Sequence, residues 1–175
     1  VDNQSRLEVL IDTLNLLAEK HDFPVIVSTH PRTQKCLNAL KSYKLDARIR
    51  WMPPFGFHDY NKLQMDAFCS ISDSGTIAEE SSILGFAAVT PRDAIERPEG
   101  LDVGCVILTG LDCDTILNCV GAATQMFDER EKNGGLHPVP VDYTIANTSE
   151  RVVSLILGTA RMSNAWDGVR RNDLI

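Results

Sequence analysis

Apolar residues at Leu7, Leu10, Ile11, Leu14, Leu17 and Ala18 recur at spacings of three and four, the period of one buried face of a helix. Asp2, Asn3 and Ser5 offer caps at its start, and Pro24 ends the run. The next segment, Phe23 to Ser28 (FPVIVS), is continuously apolar, as in strands covered on both faces of a parallel sheet. The alternation then repeats. It predicts a helix over 32–41, an edge-like strand from Ala47 to Met52, a helix over 58–67, a strand from Phe68 to Ser72, a helix over 75–84 and a strand over 86–90. A short turn at 97–103 leads to a strand from Cys105 to Leu108 and a long helix from Cys113 to Lys132. A break at Asn133 to Pro140 (NGGLHPVP) precedes a last helix from Ser149 to Asn164. Strands alternating with helices predict the α/β class: a Rossmann-like parallel sheet with helices on both faces. About 35 residues follow the break, too few for a second core, so 1–175 is expected to be one domain.

Charge narrows the partners. Among 175 residues, 17 Lys and Arg face 24 Asp and Glu, for a net charge of -7, which works against a sequence-independent grip on a phosphate backbone. Nucleic acid is not an expected partner, and a bound anion must be held locally, by a helix N-terminus or a few placed cations. No apolar run approaches the roughly 20 residues of a membrane span, and VDNQSRL lacks the order of a signal peptide. A cytoplasmic protein with no membrane partner is the expectation. Cys36, Cys69, Cys105, Cys113 and Cys119 contain no C-x-x-C pair and sit mostly in apolar stretches, so reduced thiols are expected, with neither a disulfide nor a metal site. The abrupt opening into a helix, without an initiator Met, predicts a fragment of a longer protein.

In sheets of this kind ligands sit beyond the carboxyl ends of the strands. There, SISDSGTIAEESSILG (70–85) takes a strand through a small-residue turn into a helix. Free amides and the helix dipole at such a turn favour a phosphate, Gly75 allows close approach, and Ser74 and Thr76 add hydroxyls. The competing account is that Asp73 or Ser74 merely caps the helix while Glu79 and Glu80 favour its positive end. A carboxylate at Glu80 would repel a phosphate unless it reached past it to the hydroxyls of a sugar. The loop from Arg92 to Gly100 carries five charged groups, and Pro98 stiffens the backbone after Arg97. Ser28-Thr29-His30-Pro31-Arg32 places an imidazole after another strand. Pro53 to Tyr60 (PPFGFHDY) offers Phe55, Phe57 and Tyr60 as stacking surface, with Asp59 as a helix cap. Each of these also has a structural explanation, as a solvated loop, a structural histidine or core aromatics. No Ser-His-Asp order, H-E-x-x-H, P-loop or G-x-G-x-x-G is present.

Ser72 to Gly85, with Glu96-Arg97-Pro98-Glu99-Gly100 and Gly104-Cys105-Val106-Ile107-Leu108-Thr109-Gly110, resembles the non-hydrolysing UDP-N-acetylglucosamine 2-epimerase family. D-S-G, E-E, E-R-P-E and a G-x-x-x-L-x-G strand at these spacings are far more specific together than singly, and the similarity runs from Asn3 to about Leu157. THPRT and FHDYNKLQ are most similar to the capsule and O-antigen group that forms UDP-N-acetyl-L-fucosamine.

The resemblance implies the C-terminal, UDP-binding half of a GT-B architecture, in an isomerase that epimerises C2 by removing its proton, eliminating UDP and adding it back. It implies that Ser74 and Gly75 bind the diphosphate, that Thr76 stands at the turn's second glycine, and that Glu80 binds ribose. It further implies that Arg97 binds the diphosphate, that Tyr60 lies beside the nucleotide and that His30 borders a second UDP-sugar site. Glu79, about 100° around the helix from Glu80, is expected to tolerate replacement. No catalytic residue, cofactor or metal is implied for this chain, because the family's acids and bases lie in an N-terminal half. The expected partners are a UDP-sugar, that missing N-terminal domain and a second copy in a homodimer. The fragment alone is expected to be inactive, and the alternative is an autonomous, non-catalytic nucleotide-binding module.

Overall fold

The computed structural model of the protein describes residues 4–39 and 45–166; the caps Asp2 and Asn3 and positions 40–41 of the second expected helix lie outside them. The chain divides into two compact units, Val1–Pro140 and Val141–Ile175. In the first, α1 (Gln4–His21), β1 (Val25–Ser28), α2 (Pro31–Ala39), β2 (Ile49–Met52), α3 (Phe57–Asp66) and β3 (Ser70–Ile71) follow in order. Then come α4 (Ile77–Leu84), β4 (Ala88–Thr90), α5 (Pro98–Asp102), β5 (Ile107–Leu108) and α6 (Cys113–Lys132). The second unit holds a 3-10 turn (Val141–Thr144), α7 (Thr148–Thr159) and α8 (Ser163–Trp166).

All described strands pair in parallel, as the alternating pattern predicts. They form a two-stranded ladder β1-β2 and a three-stranded sheet ordered β3-β4-β5. Val25 stands opposite Ile49, Ser70 opposite Ala88, and Val89 opposite Ile107. β4 is covered on both faces: Ala87 and Val89 join Leu17 of α1 and Ile116, Val120 and Ala123 of α6 in one core, while Ala88 and Thr90 on the other face are equally buried. A second core gathers Leu14 and Ala18 of α1 against Ile49, with Val25, Val27 and Trp51 packed on it. Thus α1 serves both cores, its residues at three- and four-residue spacing dividing between them.

Helix starts follow local chemistry. Asp112 caps α6, accepting from the Thr115 amide at 2.9 Å and the Thr115 hydroxyl at 2.6 Å, and these bonds hold its carboxyl below the usual carboxylate range. The cap of α3 is Gly56, not Asp59, which stands instead as a carboxylate within the first turn. Gly56 already has the extended backbone a cap requires, so the helix begins one residue before the expected position.

One close approach positions the later site. A Cβ at Gly100 of α5 would lie 2.8 Å from the Ala78 Cβ of α4 and 3.4 Å from the Cys105 sulfur. Glycine is therefore required for the backbone of α5 to sit against α4. The Cys105 thiol donates to the Gly100 carbonyl at 3.3 Å, and the Ser81 hydroxyl donates to the Cys105 carbonyl at 3.2 Å. We expect Gly100→Ala to destabilise the fold by about 1 to 3 kcal/mol through overpacking, read as a lowered urea midpoint, with Ala78→Gly in the same chain restoring part of it. An unchanged midpoint would show that α5 and α4 are not tightly spaced.

Candidate functional site

The carboxyl ends of β3 and β4 deliver two loops that meet. After β3, Ser72 to Thr76 turns into α4. Here the Ser74 amide donates to the Ser72 hydroxyl at 3.1 Å, and the Thr76 amide contacts the Ser74 hydroxyl at 3.3 Å. The Ser74 and Thr76 hydroxyls lie 2.9 Å apart. Thr76 is the N-cap residue, with φ -86° and ψ -2° and no side-chain cap bond, so neither Asp73 nor Ser74 plays the simple capping role. Its backbone is ordinary, so a threonine at this point of the turn carries no strain. The Gly75 amide has no partner among the described residues.

The loop after β4 supplies two guanidiniums to the same point. Arg97 donates from Nη1 to the Gly75 carbonyl at 2.8 Å, and its Nε lies 2.5 Å from Glu79 Oε1. A Cβ on Gly75 would come within 2.9 Å of Arg97 Nη1, 3.7 Å of Glu96 Oε2 and 3.9 Å of Arg92 Nη1, which measures how closely these groups crowd the turn. Arg92 is itself paired with Glu96 at 2.7 Å. Glu79, expected to tolerate replacement, is instead engaged by Arg97. Its Oε2 is buried with no partner among the described residues, so Arg97 is what compensates the carboxylate.

Glu80, one residue on, faces elsewhere. Its Oε1 accepts from the Thr76 hydroxyl at 2.6 Å and its Oε2 from Gln64 Nε2 at 2.7 Å. Gln64 lies on α3 one turn beyond Tyr60, on the same face, and the Tyr60 phenol hydrogen-bonds with Ser72. Burial pushes the Tyr60 phenol up, reinforced by Glu80 and Asp73 and partly offset by the Ser72 bond, so through neutral pH it stays a protonated donor. The structure thus brings Tyr60, Ser74, Gly75, Thr76, Glu80 and Arg97 to one edge of the sheet. Phe55 is half-buried, and Phe57 is exposed with its ring 5.5 Å from that of His58. His30 is exposed at the start of α2, after β1, and belongs to the separate β1-β2 ladder.

Two participants escaped the sequence reading. The partner of Glu79 is remote in sequence, so spacing alone shows only a first-turn carboxylate suited to the helix dipole. Gln64, the last residue of FHDYNKLQ, has no role that its sequence shows, although its spacing of four from Tyr60 puts both on one face of α3. Among the described residues no group of three His, Cys, Asp or Glu converges as a metal site, and no helix is long and apolar enough to cross a membrane.

The family model described as UDP-N-acetylglucosamine 2-epimerase matches residues 1–157. The UDP-N-acetylglucosamine 2-epimerase of Methanococcus maripaludis is 38% identical over 122 residues, 68% of this chain and 33% of its own length. The solved UDP-N-acetylglucosamine 2-epimerase from Rickettsia bellii superposes with a TM-score of 0.79 at 41% identity, over 93% of this chain and 43% of that one. That of Methanocaldococcus jannaschii, solved in complex with UDP-GlcNAc and UDP, gives 0.72 at 29% identity, over 90% of this chain and 42% of that one. The chain therefore spans about a third of the length of the curated relatives it matches.

Because Arg97 compensates Glu79, the two should be energetically coupled. Arg97→Ala should destabilise the fold by about 1 to 3 kcal/mol, and Glu79→Gln combined with it should cost markedly less than the sum of the single changes. A double-mutant cycle in urea measures this; additive effects would show that the contact carries no energy.

Proposed function

This chain belongs to the UDP-N-acetylglucosamine 2-epimerase family, and from that premise we propose that it is the UDP-binding half of an enzyme epimerising C2 of a UDP-N-acetylhexosamine. The observation that carries this reading is the pairing of an unpaired amide at Gly75 with a doubly held carboxylate at Glu80, one turn apart at the carboxyl edge of a parallel sheet. An amide-lined turn suits a diphosphate; a carboxylate displaced from it suits the ribose hydroxyls. Arg97 acts in two ways, bracing the turn through the Gly75 carbonyl and adding positive charge beside the diphosphate. Tyr60, half-buried beside Ser72, flanks the nucleoside.

In the reaction the C2 proton is removed and the C1–O bond to UDP breaks, giving a glycal-like intermediate. UDP then adds back at C1 as a proton arrives on the other face of C2. This half holds the UDP through both steps and supplies no acid or base to C2. Those come from a preceding N-terminal domain that completes a GT-B cleft, so residues 1–175 alone are inactive. The full-length protein works as a cytoplasmic homodimer making precursors of a surface polysaccharide, with the UDP-N-acetyl-L-fucosamine-forming group as its specificity. His30 borders a second UDP-sugar site.

In the full-length protein, Glu80→Gln should weaken UDP binding on the order of tenfold, because a charge-assisted contact to the ribose becomes a neutral one. Lys62→Ala, in an exposed pair with Asp66 on α3, should leave it unchanged. Titration calorimetry decides. Equal affinity of the wild type and Glu80→Gln would sink the assignment, and UDP binding without any epimerase turnover in the full-length protein would point to a non-catalytic nucleotide-binding module.

A further inference from the structure

Gln64 is only 4% exposed, yet its amide is half satisfied. Nε2 donates to Glu80 Oε2 at 2.7 Å, while Oε1 is buried with no partner among the described residues. Buried polar atoms are nearly always paired, because an unpaired carbonyl has lost its water without replacement. An apolar side chain of the same shape would therefore serve the core better than glutamine does. What the amide contributes is its contact with Glu80.

That contact is one of two. Thr76, at the mouth of α4, donates to Oε1; Gln64, from α3, donates to Oε2. A carboxylate offers about two acceptor positions on each oxygen, so one donor per oxygen fixes its plane and leaves one position on each free. Two free acceptors in a fixed plane match a vicinal pair of hydroxyls. The same face of α3 also reaches the other end of this segment, where Tyr60 meets Ser72. α3 therefore steadies both the turn and the carboxylate beyond it.

We propose that Gln64 is the positioning residue that fixes the Glu80 carboxylate for the 2′- and 3′-hydroxyls of a ribose, and so gives the site its preference for ribonucleotides over 2′-deoxyribonucleotides. This rests on the reading of Glu80 as the ribose-binding carboxylate. With Gln64 replaced by an apolar residue, Oε2 loses its donor and the carboxylate swings among rotamers, so the contact most sensitive to its direction is weakened first. Phosphate and base contacts, which do not involve Glu80, stay as they are.

The test compares UDP with 2′-deoxy-UDP, by titration calorimetry, on the full-length protein as wild type, Glu80→Gln, Gln64→Met and the double variant. The wild type should prefer UDP on the order of tenfold. Gln64→Met keeps the length and volume of the side chain and removes a buried unpaired carbonyl, so its melting temperature should stay within about 4 °C of wild type. Its affinity for 2′-deoxy-UDP should be unchanged while that for UDP falls on the order of three- to tenfold, shrinking the preference. The double variant should show no further loss beyond Glu80→Gln, since both act through one carboxylate. If Glu80→Gln keeps the ribose preference, the reading of the site itself fails. If Glu80→Gln loses it and Gln64→Met retains it, the assignment of Gln64 alone is overturned. Should Gln64→Met not fold, Gln64→Glu keeps the shape and sets a second carboxylate against Glu80; retention of the preference there would overturn the assignment equally.

Discussion

One guanidinium ties the carboxyl edge of the β3-β4-β5 sheet together. Arg97 reaches from the loop after β4 to the carbonyl of Gly75 in the loop after β3, and its Nε meets Glu79 on the helix that this second loop feeds. Three separate pieces of chain are thereby fixed by one planar group with several donors in rigid relation, which a lysine could not reproduce. The pair is partly exposed, with side-chain exposures of 35% and 27%, so solvent screens its Coulomb energy. Its importance is geometric. Without Arg97 the Gly75 carbonyl loses its donor, a buried oxygen of Glu79 loses its compensation, and the amide at Gly75 loses its orientation.

That guanidinium is in turn aimed by packing that contains no charge. Arg97 caps α5, Pro98 opens it, and Gly100 lets α5 lie against Ala78 of α4 at a spacing no side chain would permit. The residue that carries the cation and the helix that carries Glu79 and Glu80 are therefore held at a distance set by two small residues. Beneath them, β4 is buried on both faces and gives the Arg97 loop a rigid origin, while β3, paired beside it, launches the Gly75 turn. A site that depends on close placement gains from standing beside a strand packed on both faces.

The sequence made the framework legible because its signals are local. Short apolar runs and one alternating segment, Ala47 to Met52, correspond to the five described strands, and the turn at Ser74-Gly75 is visible as small residues between a strand and a helix. The meeting of Arg97 with Gly75 followed from placing both at strand ends in a parallel sheet. What stayed hidden was contact across the chain. Glu79 looks like an exposed first-turn carboxylate until α5 is folded over it, and Gln64 looks like a filler on a helix face until Glu80 is set opposite. The cap of α3 differs from expectation for another reason: Asp59 has the right chemistry, but Gly56 has the right backbone, and the backbone decides where a helix begins.

Thr76 shows how a departure from a motif can be absorbed. A second glycine at this point would leave more room for a phosphate, and the threonine that replaces it adopts a common backbone conformation, so the turn keeps its shape. Its hydroxyl is drawn to Glu80 rather than left over the turn, which turns a side chain that would obstruct an anion into a support for the carboxylate. The charges nearby point the same way. Arg92 is paired with Glu96 and Arg97 with Glu79, so each cation is largely spent on a carboxylate and the chain as a whole is acidic. A bare phosphate approaching this edge meets oriented amides, the α4 dipole and the partly balanced charge of Arg97, a modest attraction in all. Under the proposed function, recognition must therefore be shared among diphosphate, ribose and base, and the carboxylate that would repel a free anion becomes the feature that favours a nucleotide.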